Sequence, residues 1–91
     1  MSTHEAYQAL VIDRGTVIVN RTFSEASEAW NGLKVHAYEL TDRDTEAALH
    51  RHWNSGYNTI RLARRFNGRE FIYQVRIINV DAKGNLVNVA L

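Results

Sequence analysis

Ninety-one residues, 45% of them hydrophobic and 23% charged, describe one ordinary globular domain with a single modest core, which excludes both a disordered chain and a two-core protein. Cysteine is absent, so disulfide staples, thiolate metal sites and cysteine nucleophiles are excluded, and the absence of proline removes any cis-proline turn. The net charge of +1 hides an asymmetry: residues 1–49 carry eight acids against four bases, residues 50–79 one acid against six arginines, and the remainder one of each.

The opening MSTHEAYQ lacks the charged-then-apolar pattern of a secretory leader, and no apolar run reaches bilayer-spanning length. The expectation is a cytoplasmic protein without membrane contact, one compact domain over 1–91 with its first five residues flexible.

Tyr7–Ile12 is an apolar run closed by Asp13-Arg14-Gly15, and β-branched alternation resumes over Thr16–Arg21. Strand, glycine turn and strand predict a hairpin. In TFSEASEAWNG, Thr22 with Glu25 fits a capping box and Ser24 competes as N-cap. Phe23, Ala26, Trp30 and Leu33 then fall at helical spacing, and Asn31-Gly32 supplies a stop. Leu33–Leu40, with Leu33, Val35 and Ala37 alternating against Lys34, His36 and Tyr38, predicts a strand.

Thr41–Trp53 predicts a second helix. Thr41 or Asp42 caps it, acids fill its first turn, and Arg51 and His52 complement the dipole at its end. Ala48, Leu49 and Trp53 give it a narrow apolar stripe, and Trp30 and Trp53 are expected in the core.

His50–Asn79 threads six arginines among five aromatics around Asn67-Gly68, a dipeptide suited to a type I′ turn. A two-residue turn there pairs Phe66 with Arg69, Arg64 with Phe71, Leu62 with Tyr73 and Ile60 with Val75. One face then holds Ile60, Leu62, Tyr73, Val75 and Ile77 and must be the core side. The other holds Arg61, Arg65, Glu70, Gln74 and Arg76. A one-residue slip would bury arginines, which fixes the register. Asp81–Gly84 makes another turn, before a last strand carrying Val87, Val89 and Leu91. The class that follows is α+β, in the approximate order ββαβαβββ, a mostly antiparallel sheet with two helices packed on one face.

Guanidinium groups hold phosphates bidentately and phenyl rings stack on bases. Arg61, Arg64, Arg65, Phe66, Arg69, Phe71 and Arg76 are therefore the candidate contact surface for nucleic acid or another polyanion. The plainer reading is that charged strands resist edge association, with Phe66 and Phe71 under a helix and Arg65 paired to Glu70. Acidic helices lying over the basic sheet would also absorb the charge. Arg64 and Arg69 sit at the expected tip, so alanine at both should leave folding intact.

The same residue types populate protein interfaces. An acidic protein surface or a second copy is thus the alternative partner. The protein would then be a small adaptor or inhibitor, like those that viruses of bacteria direct against host nucleic-acid machinery.

Catalysis has little support. His50 and His52 point about 200° apart on a helix, at 100° per residue. Glu46 and His50 make only a two-ligand pair, too few for zinc. A ribonuclease built on His50 or His52 with Tyr57 lacks a fixed general base. The five glycines are scattered singly, so no phosphate loop exists. A non-catalytic binding module without cofactor or metal is the expectation.

Overall fold

Two left-handed turns fold the two ends of the chain into β-hairpins. In the computed structural model, which describes residues 3–87, β1 (Thr3–Asp13) meets β2 (Thr16–Phe23) through Arg14 at φ 50° and Gly15 at φ 82°. β3 (Ile60–Phe66) meets β4 (Arg69–Asp81) through Asn67 at φ 52° and Gly68 at φ 77°. Positive φ at both central residues gives the turn the twist of its strands. The second hairpin has the register expected from its sequence, Phe66↔Arg69 through Ile60↔Val75.

The hairpins join through their long strands. β1 pairs antiparallel with β4 from Thr3↔Asp81 to Asp13↔Phe71, giving the order β2-β1-β4-β3 with β2 and β3 as edges. Thr3–Glu5, expected as a flexible lead-in, instead pair with Asn79–Asp81. Beyond β4, the Asp81 carboxylate accepts from the N–H groups of Lys83 and Asn85, both at 2.9 Å, and Leu86 forms a single bridge with Val80. The expected last strand is described only to Val87; Val89 and Leu91 lie outside the described residues.

Between the hairpins run α1 (Ala26–Glu39) and α2 (Arg43–Asn54). The stretch expected as a strand over Leu33–Leu40 is therefore helix to Glu39 with Leu40 as its C-cap, and the order over the described residues is ββααββ. The period-two pattern there is real but subordinate. Ala29, Trp30, Leu33 and Ala37 are buried at helical spacing, whereas Val35 is 46% exposed. Gly32 does not stop the helix; it faces the sheet, where a Cβ would lie 3.5 Å from the Phe23 ring. The capping box is absent too. β2 runs on to Phe23 and pairs Thr22 with Gln8, so Glu25 becomes the N-cap position without a side-chain hydrogen bond.

α1 ends in a Schellman arrangement. Asp42 N–H donates to Ala37 O and Thr41 N–H to Tyr38 O, both at 2.9 Å, with Thr41 in the left-handed region at φ 59°. Of the two expected caps of α2 it is Asp42 that serves, accepting from Thr45 N–H at 3.1 Å.

Both helices cover one face of the sheet. Trp30, Leu33 and Leu49 pack on Ala9, Val11, Phe71, Tyr73 and Val75. Each such large side chain contributes about 1.5–3 kcal/mol of transfer free energy. Trp53 stacks at a tilt on Trp30, 5.7 Å between centroids, and Trp30 Nε1 donates to Asn58 O. Ile60 and Leu62 pack against this core as expected, but Ile77 lies at the uncovered end of β4 and is 42% exposed.

Candidate anion-binding sheet face

Strand alternation sends odd residues of β1 toward the helices and even ones to the other side. The register then places Arg61, Ala63 and Arg65 of β3, Glu70, Ile72, Gln74 and Arg76 of β4, and Gln8, Leu10 and Ile12 of β1 on the helix-free face. The acidic helices do not cover Arg61, Arg65 or Arg76. They cover the apolar side.

Three hydrogen bonds organise this face. Arg76 Nε donates to Gln8 Oε1 at 2.6 Å, and Gln8 Nε2 donates to Asn20 Oδ1 at 2.7 Å. Arg61 Nη1 donates to Gln74 Oε1 at 2.9 Å. A polar band therefore crosses the sheet, each guanidinium held through one edge while its remaining N–H groups are free to donate. Arg65 stands opposite Glu70 in the register, yet their charged groups are not within 4 Å of each other. Ile12, Ile72 and Ala63 form an apolar strip beside the band.

Gln8 and Asn20 escape the sequence reading. Within Tyr7–Ile12 the glutamine interrupts an apolar run, and only its alignment with Arg76, 68 residues away, reveals a use.

Arg64 and Arg69 go elsewhere. Arg64 Nε donates to Thr45 Oγ1 at 3.2 Å, and that hydroxyl donates to Asp42 Oδ2 at 2.5 Å, with Thr45 and Asp42 buried. Arg69 pairs with Asp13 and lies over the Phe71 ring, 5.1 Å from its centroid. Both arginines thus hold elements together, and the expectation that replacing both leaves folding intact no longer applies. Phe71 is buried in the core, and Phe66 is half-buried against it. The core extends farther along the hairpin than its sequence suggests, because the α1–α2 connection reaches over it. His36 supplies part of that cover, edge-on to Phe71 at 5.5 Å and sharing a 2.9 Å hydrogen bond with the Tyr73 hydroxyl. Burial lowers the His36 pKa; burial, followed by the Asp42 charge, pushes Tyr73 up to about 12.

Of the other three histidines, His4 is in β1 and His50 and His52 lie along α2. His50 Nε2 is 3.0 Å from Asn54 Nδ2, and His52 meets the Tyr57 ring edge-on at 6.1 Å. Among the described residues, no three histidine or carboxylate side chains converge as metal ligands. A groove of about 800 Å³ runs between the helices, lined by Lys34, Tyr38, Glu39, Arg43, Glu46 and His50, in which both charge signs are mixed. Among the described residues no helix is long and apolar enough to cross a membrane.

Comparison with known proteins returns no match to a protein family, to a curated protein or to a solved structure.

Proposed function

We propose that this protein is a non-catalytic binding module that offers the helix-free face of its sheet to an anionic partner, nucleic acid before other polyanions. One observation carries the reading: Arg61, Arg65 and Arg76 stand exposed on a face that neither helix covers. Arg61 and Arg65 are four residues apart on one strand, roughly 13 Å at about 3.3 Å per residue, a span that allows separate phosphates to be engaged.

Because Phe71 is in the core and Phe66 packs beneath the helices, no ring stands among these arginines to stack on a base. The contact is accordingly with the phosphate backbone and tolerant of sequence. The contact set is Arg61, Arg65 and Arg76, with Gln8, Gln74 and Asn20 as hydrogen-bonding neighbours.

Fluorescence anisotropy with labelled single-stranded RNA, single-stranded DNA and duplex DNA tests this at several salt concentrations. Three phosphate contacts predict a log–log salt slope of about −2.7 on a duplex, at about −0.9 per contact. Arg61→Ala, Arg65→Ala and Arg76→Ala together should flatten that slope while leaving the fold intact. No binding at low salt would refute nucleic acid as the partner.

A second reading is favoured by the strip of Ile12, Ile72 and Ala63 beside the polar band. Apolar area next to arginine suits a protein surface with an acidic rim. The same triple variant then loses a protein partner in pull-downs.

A further inference from the structure

We infer that the free edge of β2 is a self-association surface, on which a second copy of this chain adds its own β2 antiparallel to make an eight-stranded sheet. β2 carries TVIVNRTF: no proline, no lysine, one arginine, with Val17 and Ile18 each close to half exposed. Of the devices by which natural edge strands resist such pairing, β2 carries one charge, Arg21, and one irregularity toward its turn end. The irregularity opposite Val11/Ile12 confines the regular part of this edge to Val19–Phe23, leaving those residues free to pair outward.

Beside the edge lies a groove of about 430 Å³ between β2 and α1, walled by Val19, Arg21 and Phe23 on one side and by Glu28, Val35 and Glu39 on the other. α1 runs back along β2. Gly32 sits at Phe23, and His36 bonds Tyr73, which lies in the same cross-strand row as Val11 and Val19. Glu39, three residues beyond His36, is therefore at the Val19 end of the groove or past it.

This arrangement disfavours one register and offers a charge partner in another. In an antiparallel pair, residues directly opposite share a face, so Arg21 of the second copy must meet an odd residue of the regular edge. Arg21 against Arg21 sets like charges opposite each other and is unfavourable. Moving the two-fold axis to Asn20 puts Arg21 of the second copy opposite Val19, at the end of the groove where Glu39 lies. The two-fold repeats the contact, so two arginine–glutamate pairs flank the axis. Both helix layers stay on one side, and the helix-free faces become one continuous surface with its arginines doubled.

The chain has no cysteine, which makes the test direct. With Asn20 on the axis, its Cα should be about 4.5–5.5 Å from its symmetry mate, within disulfide reach. Asn20→Cys should therefore cross-link to dimer rapidly under mild oxidation, and Asn85→Cys should not. Independently, Arg21→Glu alone and Glu39→Arg alone should each sediment as monomer, whereas their equimolar mixture should form a heterodimer, because opposite charges meet only across the two copies. Thermal melts verify that each variant is folded, and the mixture decides the matter if the cysteine variant fails to fold. Wild-type protein that stays monomeric up to roughly 1 mM, the limit of about −4 kcal/mol of association, overturns the proposal. So does a mixture no more dimeric than its components.

Discussion

At the scale of single residues, arginines of similar sequence context have different duties. Arg64 and Arg65 are adjacent, yet alternation sends one to Thr45 under the helices and the other to open solvent. Arg64→Ala should cost about 1–3 kcal/mol, because the buried Asp42–Thr45 pair loses a donor. Arg65→Ala should stay within about 0.5 kcal/mol. Urea melts of the two variants provide the comparison, and equal midpoints would show that the Arg64 contact contributes nothing. Thr41 is the other telling residue, a β-branched side chain at φ 59° where glycine or asparagine is preferred. Thr41→Asn should raise stability by about 0.5–1 kcal/mol, part of the 1–3 kcal/mol such strain represents. An unchanged or lower melting temperature would contradict that. His36 gives a pH dependence. Burial lowers its pKa in the fold, so the unfolded chain takes up the proton first and stability falls as pH drops below about 6.5. Tyr73 acts at the other end: its phenol ionises near 10 when unfolded and near about 12 when folded, so stability falls across that interval. Urea titrations of wild type and His36→Gln between pH 5 and 8 should converge toward low pH; parallel curves would remove His36 from the account.

At the scale of elements, α1 shows how a local stop signal is overridden. Asn31-Gly32 is good C-terminal chemistry, but stopping there would leave Leu33 and Ala37 without the helical register that buries both. Glycine survives in mid-helix at a cost near 1 kcal/mol relative to alanine. A Cβ at this position would be at ordinary contact distance from Phe23 and Ala9. Gly32→Ala is accordingly expected to stabilise the protein by about 0.5–1 kcal/mol. Were it to destabilise by that amount, helix α1 would have to approach the sheet more closely than described. Larger side chains should destabilise, since the Phe23 ring leaves little room beyond a methyl group.

At the scale of the whole molecule, the central fact is which side the helices take. Two hairpins joined by β1 and β4 make a sheet with one strongly apolar face, and both helices fall on it because only there can Trp30, Leu33 and Leu49 leave water. The charged face is left open by the same choice. That single outcome motivates the proposed anion-binding role, and raising salt should weaken binding log-linearly if phosphates are the partner. Salt-independent binding would direct attention to the apolar strip instead.

Much of this protein follows from sequence alone. The tight turn at Asn67-Gly68, the pairing of Leu62 with Tyr73, a second helix capped at Thr41 or Asp42 and the separation of Arg61, Arg65 and Arg76 from the core-side residues are local consequences of turn chemistry, capping and period-two alternation. Tertiary structure decided what local pattern leaves open. Leu33–Ala37 satisfies both a strand and a helix period, and the sheet beneath chose between them by rewarding burial at helical spacing. Phe71 and Arg64 look like the tip of a hairpin until the α1–α2 connection is folded over them, and Arg69 does so until β1 brings Asp13 to it. Gln8 becomes part of the arginine face only when β1 pairs with β4, a contact between the two ends of the described chain that no window of neighbouring residues contains.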